Sequence, residues 1–157
     1  MALKAVKELE NKHPNIILTL IGNGSLKNDL KNHANKNVKF IDWKVNIKKY
    51  FLKSDLFILP SYYEGLPNAL IEAVYYNLPS IATDCSGARD ILVGTKGGYI
   101  VPINDLNQLK KKISQVILNY KDALKKSSIA KKKVTRFSVL NCKYYYELIN
   151  KETHKAK

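Results

Sequence analysis

With 157 residues, 45% of them hydrophobic, the chain can bury one sizeable core, and a single domain over 1–157 is the expectation. No apolar run approaches the ~18 residues a membrane span needs, and the opening Met1-Ala2-Leu3-Lys4 lacks the apolar stretch of a signal peptide, so the sequence reads as cytoplasmic. A net charge of +14 admits nucleic acid, an anionic membrane face or a polyanion as partner; only two of the 27 basic residues are arginine, and no recognition helix or aromatic-basic interleaving favours nucleic acid.

Residues 2–12 form an amphipathic pattern, with Leu3, Val6 and Leu9 on one stripe and Pro14 just beyond, which predicts a helix. A strand normally opens an α/β unit, so a strand is expected ahead of this helix. The apolar run 15–21, bounded by Pro14 and Gly22, predicts a buried strand of the parallel kind. Gly22-Asn23-Gly24-Ser25 then turns the chain, and Ser25 is placed to cap a helix over 26–33. A strand at 37–41, a loop at Asp42-Trp43-Lys44 and a helix over 46–53 follow.

The next segment organises the rest. A β-like run at 55–59 leads into Pro60-Ser61-Tyr62-Tyr63-Glu64-Gly65-Leu66, and a strongly apolar helix begins at Pro67, whose missing N–H suits a first helical position. The amides around Gly65 and Leu66 then lie at a helix mouth, where anions are favoured. The chain is 25% charged, yet between Glu64 and Asp84 the one charged side chain is Glu72. Its neighbours Ala69, Leu70, Ile71, Ala73 and Val74 are apolar, so a buried carboxylate in need of a partner is expected. Two readings stand. Glu64 and Glu72 grip opposite ends of a phosphate-bearing ligand, or Glu72 pairs with a basic residue and Glu64 is an ordinary loop acid.

A strand at 79–83, a loop at Asp84-Cys85-Ser86, a short helix over 87–93 and a strand at 97–101 complete the alternation. Helices are predicted over 106–119 and 123–134, and 136–157 is a tail carrying a helix from 139. Cys85 and Cys142 lie far apart without metal-ligand spacing, so reduced thiols and no metal site are expected. The alternation predicts an α/β, Rossmann-like three-layer domain, its parallel sheet covered on both faces. Ligands of such sheets bind beyond the carboxyl ends of the strands, where the loops at Gly22 to Gly24, Asp42-Trp43, Ser61 to Leu66 and Asp84 to Gly87 converge.

Asp55 to Ser61, then Glu64-Gly65-Leu66-Pro67-Asn68, Glu72-Ala73, Leu78 to Thr83 and Gly98 to Pro102 form an ordered set of motifs. From about residue 1 to 150 the chain resembles the C-terminal, donor-binding domain of the group 1 retaining glycosyltransferases of GT-B fold. The resemblance implies that Glu64 faces the transferred sugar and the reacting centre, that Glu72 bonds the ribose hydroxyls, and that the amides around Gly65, Leu66 and Pro67 hold the diphosphate, with Ser61 and Asn68 bordering the same donor site. Gly22 and Gly24 match a loop at the cleft. Asp42 and Trp43 match a loop bordering the base, although Asp42 stands where relatives carry glycine. Asp90 stands where many carry Glu.

The resemblance further implies transfer of a sugar from a nucleoside-diphosphate donor to a hydroxyl acceptor, in glycan or polysaccharide synthesis, with no cofactor and no obligatory metal. A full member has an N-terminal acceptor domain and a linking loop whose Arg and Lys face the diphosphate. Neither has a counterpart in this sequence, and Lys27 lies in a different element. The chain alone is therefore expected to be inactive or nearly so, as a truncated transferase. The alternative is a non-catalytic nucleotide-sugar-binding subunit that pairs with a separate acceptor-domain chain. Tyr144, Tyr145 and Tyr146 match the segment that crosses back to that domain, and the basic surface allows peripheral attachment at the inner face of a membrane.

Overall fold

The computed structural model describes residues 1–94 and 96–134. Elements follow in the order α1 (Ala2–Leu9), β1 (Leu18–Ile21), α2 (Lys27–Asn32), β2 (Val38–Ile41), α3 (Lys48–Leu52), β3 (Phe57–Leu59), α4 (Asn68–Tyr75), β4 (Ser80–Thr83), α5 (Ser86–Leu92), β5 (Tyr99–Val101), α6 (Leu106–Leu118) and α7 (Tyr120–Val134). The predicted order is reproduced over these residues, with most elements shorter than their apolar runs. The expected helix from 139 and the tail 136–157 lie outside the described residues. No described helix is long and apolar enough to cross a membrane.

All strand pairing is parallel, as the single helix between successive strands requires. Pairing alternates the two faces of the sheet. Ile58, Ile81 and Tyr99 lie side by side, and the next residues, Leu59, Ala82 and Ile100, share the opposite face. Ile81 and Tyr99 belong to a core with Ala5 and Leu9 of α1 and Leu109, Ile113 and Val116 of α6. Leu59 and Ala82 pack with Leu70 and Val74 of α4, Ile91 and Leu92 of α5, and Ala130 and Val134 of α7. These are the three layers predicted. Each fully buried Leu or Ile among them contributes about 1.5–3 kcal/mol relative to exposure. The Asp105 carboxylate accepts from the Gln108 amide at 2.8 Å and fixes where α6 begins.

Three local expectations are corrected. Ser25 caps nothing: α2 starts later, behind Leu26, and the Lys27 amide instead donates to the Gly24 carbonyl at 3.1 Å. Pro67 is the N-cap of α4, with ψ 86°, and Asn68 is its first helical residue. The sheet is in two hydrogen-bonded parts, β1-β2 and β3-β4-β5, where one continuous sheet was expected. β1 accordingly alternates half-buried and exposed residues, whereas all four residues of β4 are buried.

Candidate functional site

The loop from β3 to α4 is built from the strand upward. β4 ends at Thr83, whose buried hydroxyl donates to the Leu59 carbonyl at 3.2 Å and to the Ser61 carbonyl, pinning the chain as it leaves β3. The Ser61 hydroxyl in turn donates to Glu64 Oε1 at 2.9 Å, so the partly buried Glu64 carboxylate has a fixed direction. The Gly87 amide of α5 then donates to the Glu64 carbonyl at 3.0 Å. This last contact requires glycine: a Cβ on Gly87 would stand 2.3 Å from the Gly65 oxygen and 2.7 Å from Pro67 Cδ. The amino end of α5 and the Glu64 to Pro67 loop are thereby clasped together.

Beyond the clasp the backbone is open. The Leu70 and Ile71 amides turn back to the Pro67 carbonyl, while those of Gly65, Leu66, Asn68 and Ala69 find no acceptor among the described residues. Gly65, Leu66 and Asn68 are exposed, and Pro67 is buried beneath them. Four amides without a backbone acceptor at the start of a helix carry a partial positive charge. Glu72 lies one turn further along α4, ~6 Å of rise beyond Asn68. It is exposed, which overturns the expected burial: Leu70, Ala73 and Val74 fill the core-facing stripe, and Glu72 falls on the other side. A carboxylate exposed to water in this way needs no protein partner.

A second cluster closes the β1-β2 part of the sheet. Gly22 ends β1 at φ +138°, where a side chain is strained, and its amide donates to the Ile41 carbonyl at 3.0 Å. Lys27, on the first turn of α2, donates to Asn23 Oδ1 at 2.9 Å and also pairs with Asp42, joining the turn that holds Gly24 to the loop after β2. The hydrogen bond from Lys27, aided by its charge, holds the Asp42 carboxyl below the usual carboxylate range. Trp43 beside it is 65% exposed. The structure thus brings Ser61, Glu64, Gly65, Leu66, Pro67 and Asn68 into one interlocked loop, and Gly22, Gly24 and Asp42 into another. Among the described residues no side-chain hydrogen bond or ion pair ties one cluster to the other.

Two residues escaped the sequence reading. Gly87 is one, and its signal was available: a glycine in the first turn of a short helix is a poor helix former that close backbone approach explains. Arg89 is the other. Its Nε and Nη2 donate to both Asp84 oxygens at 2.7 and 2.5 Å, beside the loop that follows β4. That bidentate bond lowers the Asp84 carboxyl and raises the arginine. Among the described residues no group of three His, Cys, Asp or Glu side chains is placed to hold a metal ion.

A family model described as Glycosyl transferases group 1 matches residues 1–133. An uncharacterized glycosyltransferase of Methanocaldococcus jannaschii is 41% identical over 96 residues, which are 57% of this chain and 24% of that protein. A UDP-Gal:alpha-D-GlcNAc-diphosphoundecaprenol alpha-1,3-galactosyltransferase of Escherichia coli is 30% identical over 103 residues, 62% of this chain and 27% of that one. The crystal structure of Anabaena Alr3699/HepE in complex with UDP and glucose superposes with a TM-score of 0.83 at 18% identity, over 94% of this chain and 44% of that one, a likeness of fold. The chain spans about a quarter of the length of the two curated relatives. Since the family model covers most of the chain and the fold is that of GT-B Rossmann-like domains, the chain belongs to the group 1 glycosyltransferases.

Proposed function

We propose that this chain is the donor-binding half of a retaining glycosyltransferase that moves a sugar from a nucleoside-diphosphate sugar to a hydroxyl acceptor in polysaccharide or glycan synthesis. The observation that carries the reading is the open α4 mouth, with four amides at Gly65, Leu66, Asn68 and Ala69 that have no acceptor among the described residues, flanked by the oriented Glu64 and the exposed Glu72. The diphosphate sits on the amides, Glu72 bonds the ribose hydroxyls, and Glu64 addresses the sugar. Relatives' names point the same way, since the E. coli protein uses a UDP-sugar and an Erwinia amylovora relative serves amylovoran biosynthesis. Exposure of Glu72 favours this role, because a hydrated carboxylate on a helix flank is free to meet a ligand.

As the bond to the departing diphosphate breaks, negative charge grows on the phosphate. A helix terminus supplies about 0.3–1 kcal/mol of stabilisation to a nearby anion, rising to ~2 in favourable geometry. A dedicated charge contact at a transition state is worth about 3–4 kcal/mol. The amides therefore bind the donor, while most of the rate has to come from cations such as the linking-loop Arg and Lys of a full member. Without them the chain should turn over several decades more slowly than a complete transferase.

Calorimetric titration with UDP-, GDP- and ADP-sugars tests the reading. One nucleotide family should bind at millimolar affinity or better, and Glu72→Ala should weaken it at least tenfold while leaving the urea midpoint unchanged. Equal affinity in the variant would remove Glu72 from the ribose. Failure of every donor to bind would overturn the donor-binding assignment for the isolated chain.

A further inference from the structure

The segment 44–53, which covers the end of the loop after β2 and all of α3, carries a surface that the donor site does not use. Val45 is 87% exposed and Leu52 60%. Lys44, Lys48, Lys49 and Lys53 are exposed with them, and no acid occurs between Asp42 and Asp55. Lys48, Lys49 and Leu52 share one side of α3 by their spacing, with Val45 and Lys53 flanking it. The opposite side is anchored, because Phe51 is buried with Ala73 and Leu78 and Ile47 packs beside it. That anchoring keeps the aliphatic side chain of Leu52 and its neighbouring lysines outward. We propose that this segment attaches the chain to the surface of an anionic lipid bilayer, with Val45 and Leu52 entering the interface and the four lysines meeting headgroup phosphates. The inference does not rest on the donor-binding reading.

Charge complementarity supports it. None of the four lysines forms an ion pair among the described residues. Lys49 Nζ lies 5.1 Å from the centroid of the Tyr50 ring, a contact that leaves its charge in place. The acids that bound the stretch act elsewhere: Lys27 holds Asp42, and Asp55 acts on the Tyr120 hydroxyl at the start of α7. Each lysine near an anionic membrane surface raises affinity about fivefold. Four together supply on the order of several hundredfold at low salt, a gain that salt screens.

The apolar side chains select lipid over other polyanions. Nucleic acid is gripped through its phosphates and would leave Val45 and Leu52 facing water. An acidic amphipathic peptide seats its apolar residues in a groove, and neither Val45 nor Leu52 lines the cavity beside β1 and β3 or the one between α1 and α6. A bilayer interface needs no groove. Aliphatic side chains enter among the headgroups while lysine stems reach back to the phosphates. Trp43 adjoins the segment, is 65% exposed and is of the residue type enriched at that depth.

Trp43 is also the sole tryptophan of the chain, so its emission reports on this face. The test mixes the full chain, without nucleotide, with vesicles of phosphatidylcholine alone or in equal parts with phosphatidylglycerol, and follows sedimentation and Trp43 fluorescence. Binding should require phosphatidylglycerol, shift the emission to the blue and allow quenching by lipids brominated near the headgroup. Lys48→Gln with Lys49→Gln should weaken binding about 25-fold at low salt. The same change at the exposed Lys121 and Lys125 of α7 should cost less than about threefold. Val45→Asn with Leu52→Asn keeps every charge and should weaken binding at least tenfold and abolish the quenching. An unchanged urea midpoint confirms that each variant is folded. Absence of binding to the anionic vesicles would overturn the proposal. Equal losses in the α3 and α7 lysine variants would overturn it as well, since bulk charge would then suffice, and so would full quenching in the Val45 and Leu52 variant. Binding to duplex DNA as tight as to vesicles, and untouched by that variant, would assign the face to nucleic acid instead.

Discussion

Gly87→Ala probes the clasp that shapes the candidate site. The new methyl would lie 2.3 Å from the Gly65 oxygen, 2.7 Å from Pro67 Cδ and 2.9 Å from the Glu64 oxygen, where ordinary contact begins at 3.4 Å. None of these atoms ends a flexible side chain, so α5 and the loop must separate by roughly 1 Å. Overpacking of this kind costs about 1–3 kcal/mol, and the Gly87-to-Glu64 hydrogen bond that lengthens with it about 1 kcal/mol. Reduced entropy of the unfolded chain returns about 0.4–1 kcal/mol. The net loss is then about 1–3 kcal/mol, several degrees of melting temperature for a chain of this size. Urea denaturation measures it, with Gly65→Ala as the control, since a Cβ there meets nothing within 4 Å. A midpoint for Gly87→Ala that matches both Gly65→Ala and the parent would refute the clasp. If the fold survives, nucleotide affinity should still fall, because the displaced loop carries Glu64 and the open amides.

Other expectations follow from the same contacts. Thr83→Val keeps the shape of a buried side chain but removes the donor to the Leu59 and Ser61 carbonyls, and should destabilise by about 1–2 kcal/mol in chemical denaturation. Glu64→Ala should weaken binding of a sugar nucleotide more than that of the bare nucleoside diphosphate; equal losses in parallel titrations would move Glu64 away from the sugar. The Asp84 carboxyl is lowered by its bond to Arg89 in the folded state, so its contribution to stability is present above the ordinary carboxylate value of 3.8 and is lost as pH falls below about 4 through the folded one. Urea midpoints measured from pH 6 to pH 3 should therefore decline less steeply in Arg89→Gln than in the parent, with Asp42 and Glu8 supplying the remaining slope through Lys27 and Lys110.

Hydrophobic period and punctuation by Gly and Pro made every described element legible in order, because those signals depend on residues within a turn or two of one another. Apolar runs overstated strand length at 15–21 and 55–59, since residues leading into a strand can be apolar without entering the ladder. Local chemistry also placed Pro67 one position too far into its helix. Ser25 lost its capping role because the turn at Gly24 satisfied the Lys27 amide first. Glu72 was misjudged for a related reason: apolar neighbours in sequence suggested burial, whereas a helix distributes them around its axis and turned this carboxylate to water.

By itself the sequence determined the alternation of strands and helices, the parallel sheet and the grouping of Ser61 to Asn68 with Glu72 at the start of one helix. Only the tertiary structure decided that Thr83 and Gly87 lock that loop, that Lys27 occupies Asp42, and that β1 and β3 stand apart around an apolar slot. Each of these joins segments separated along the chain. Periodicity carries no information about which distant backbone edges meet, and it is those meetings that set the shape of the site.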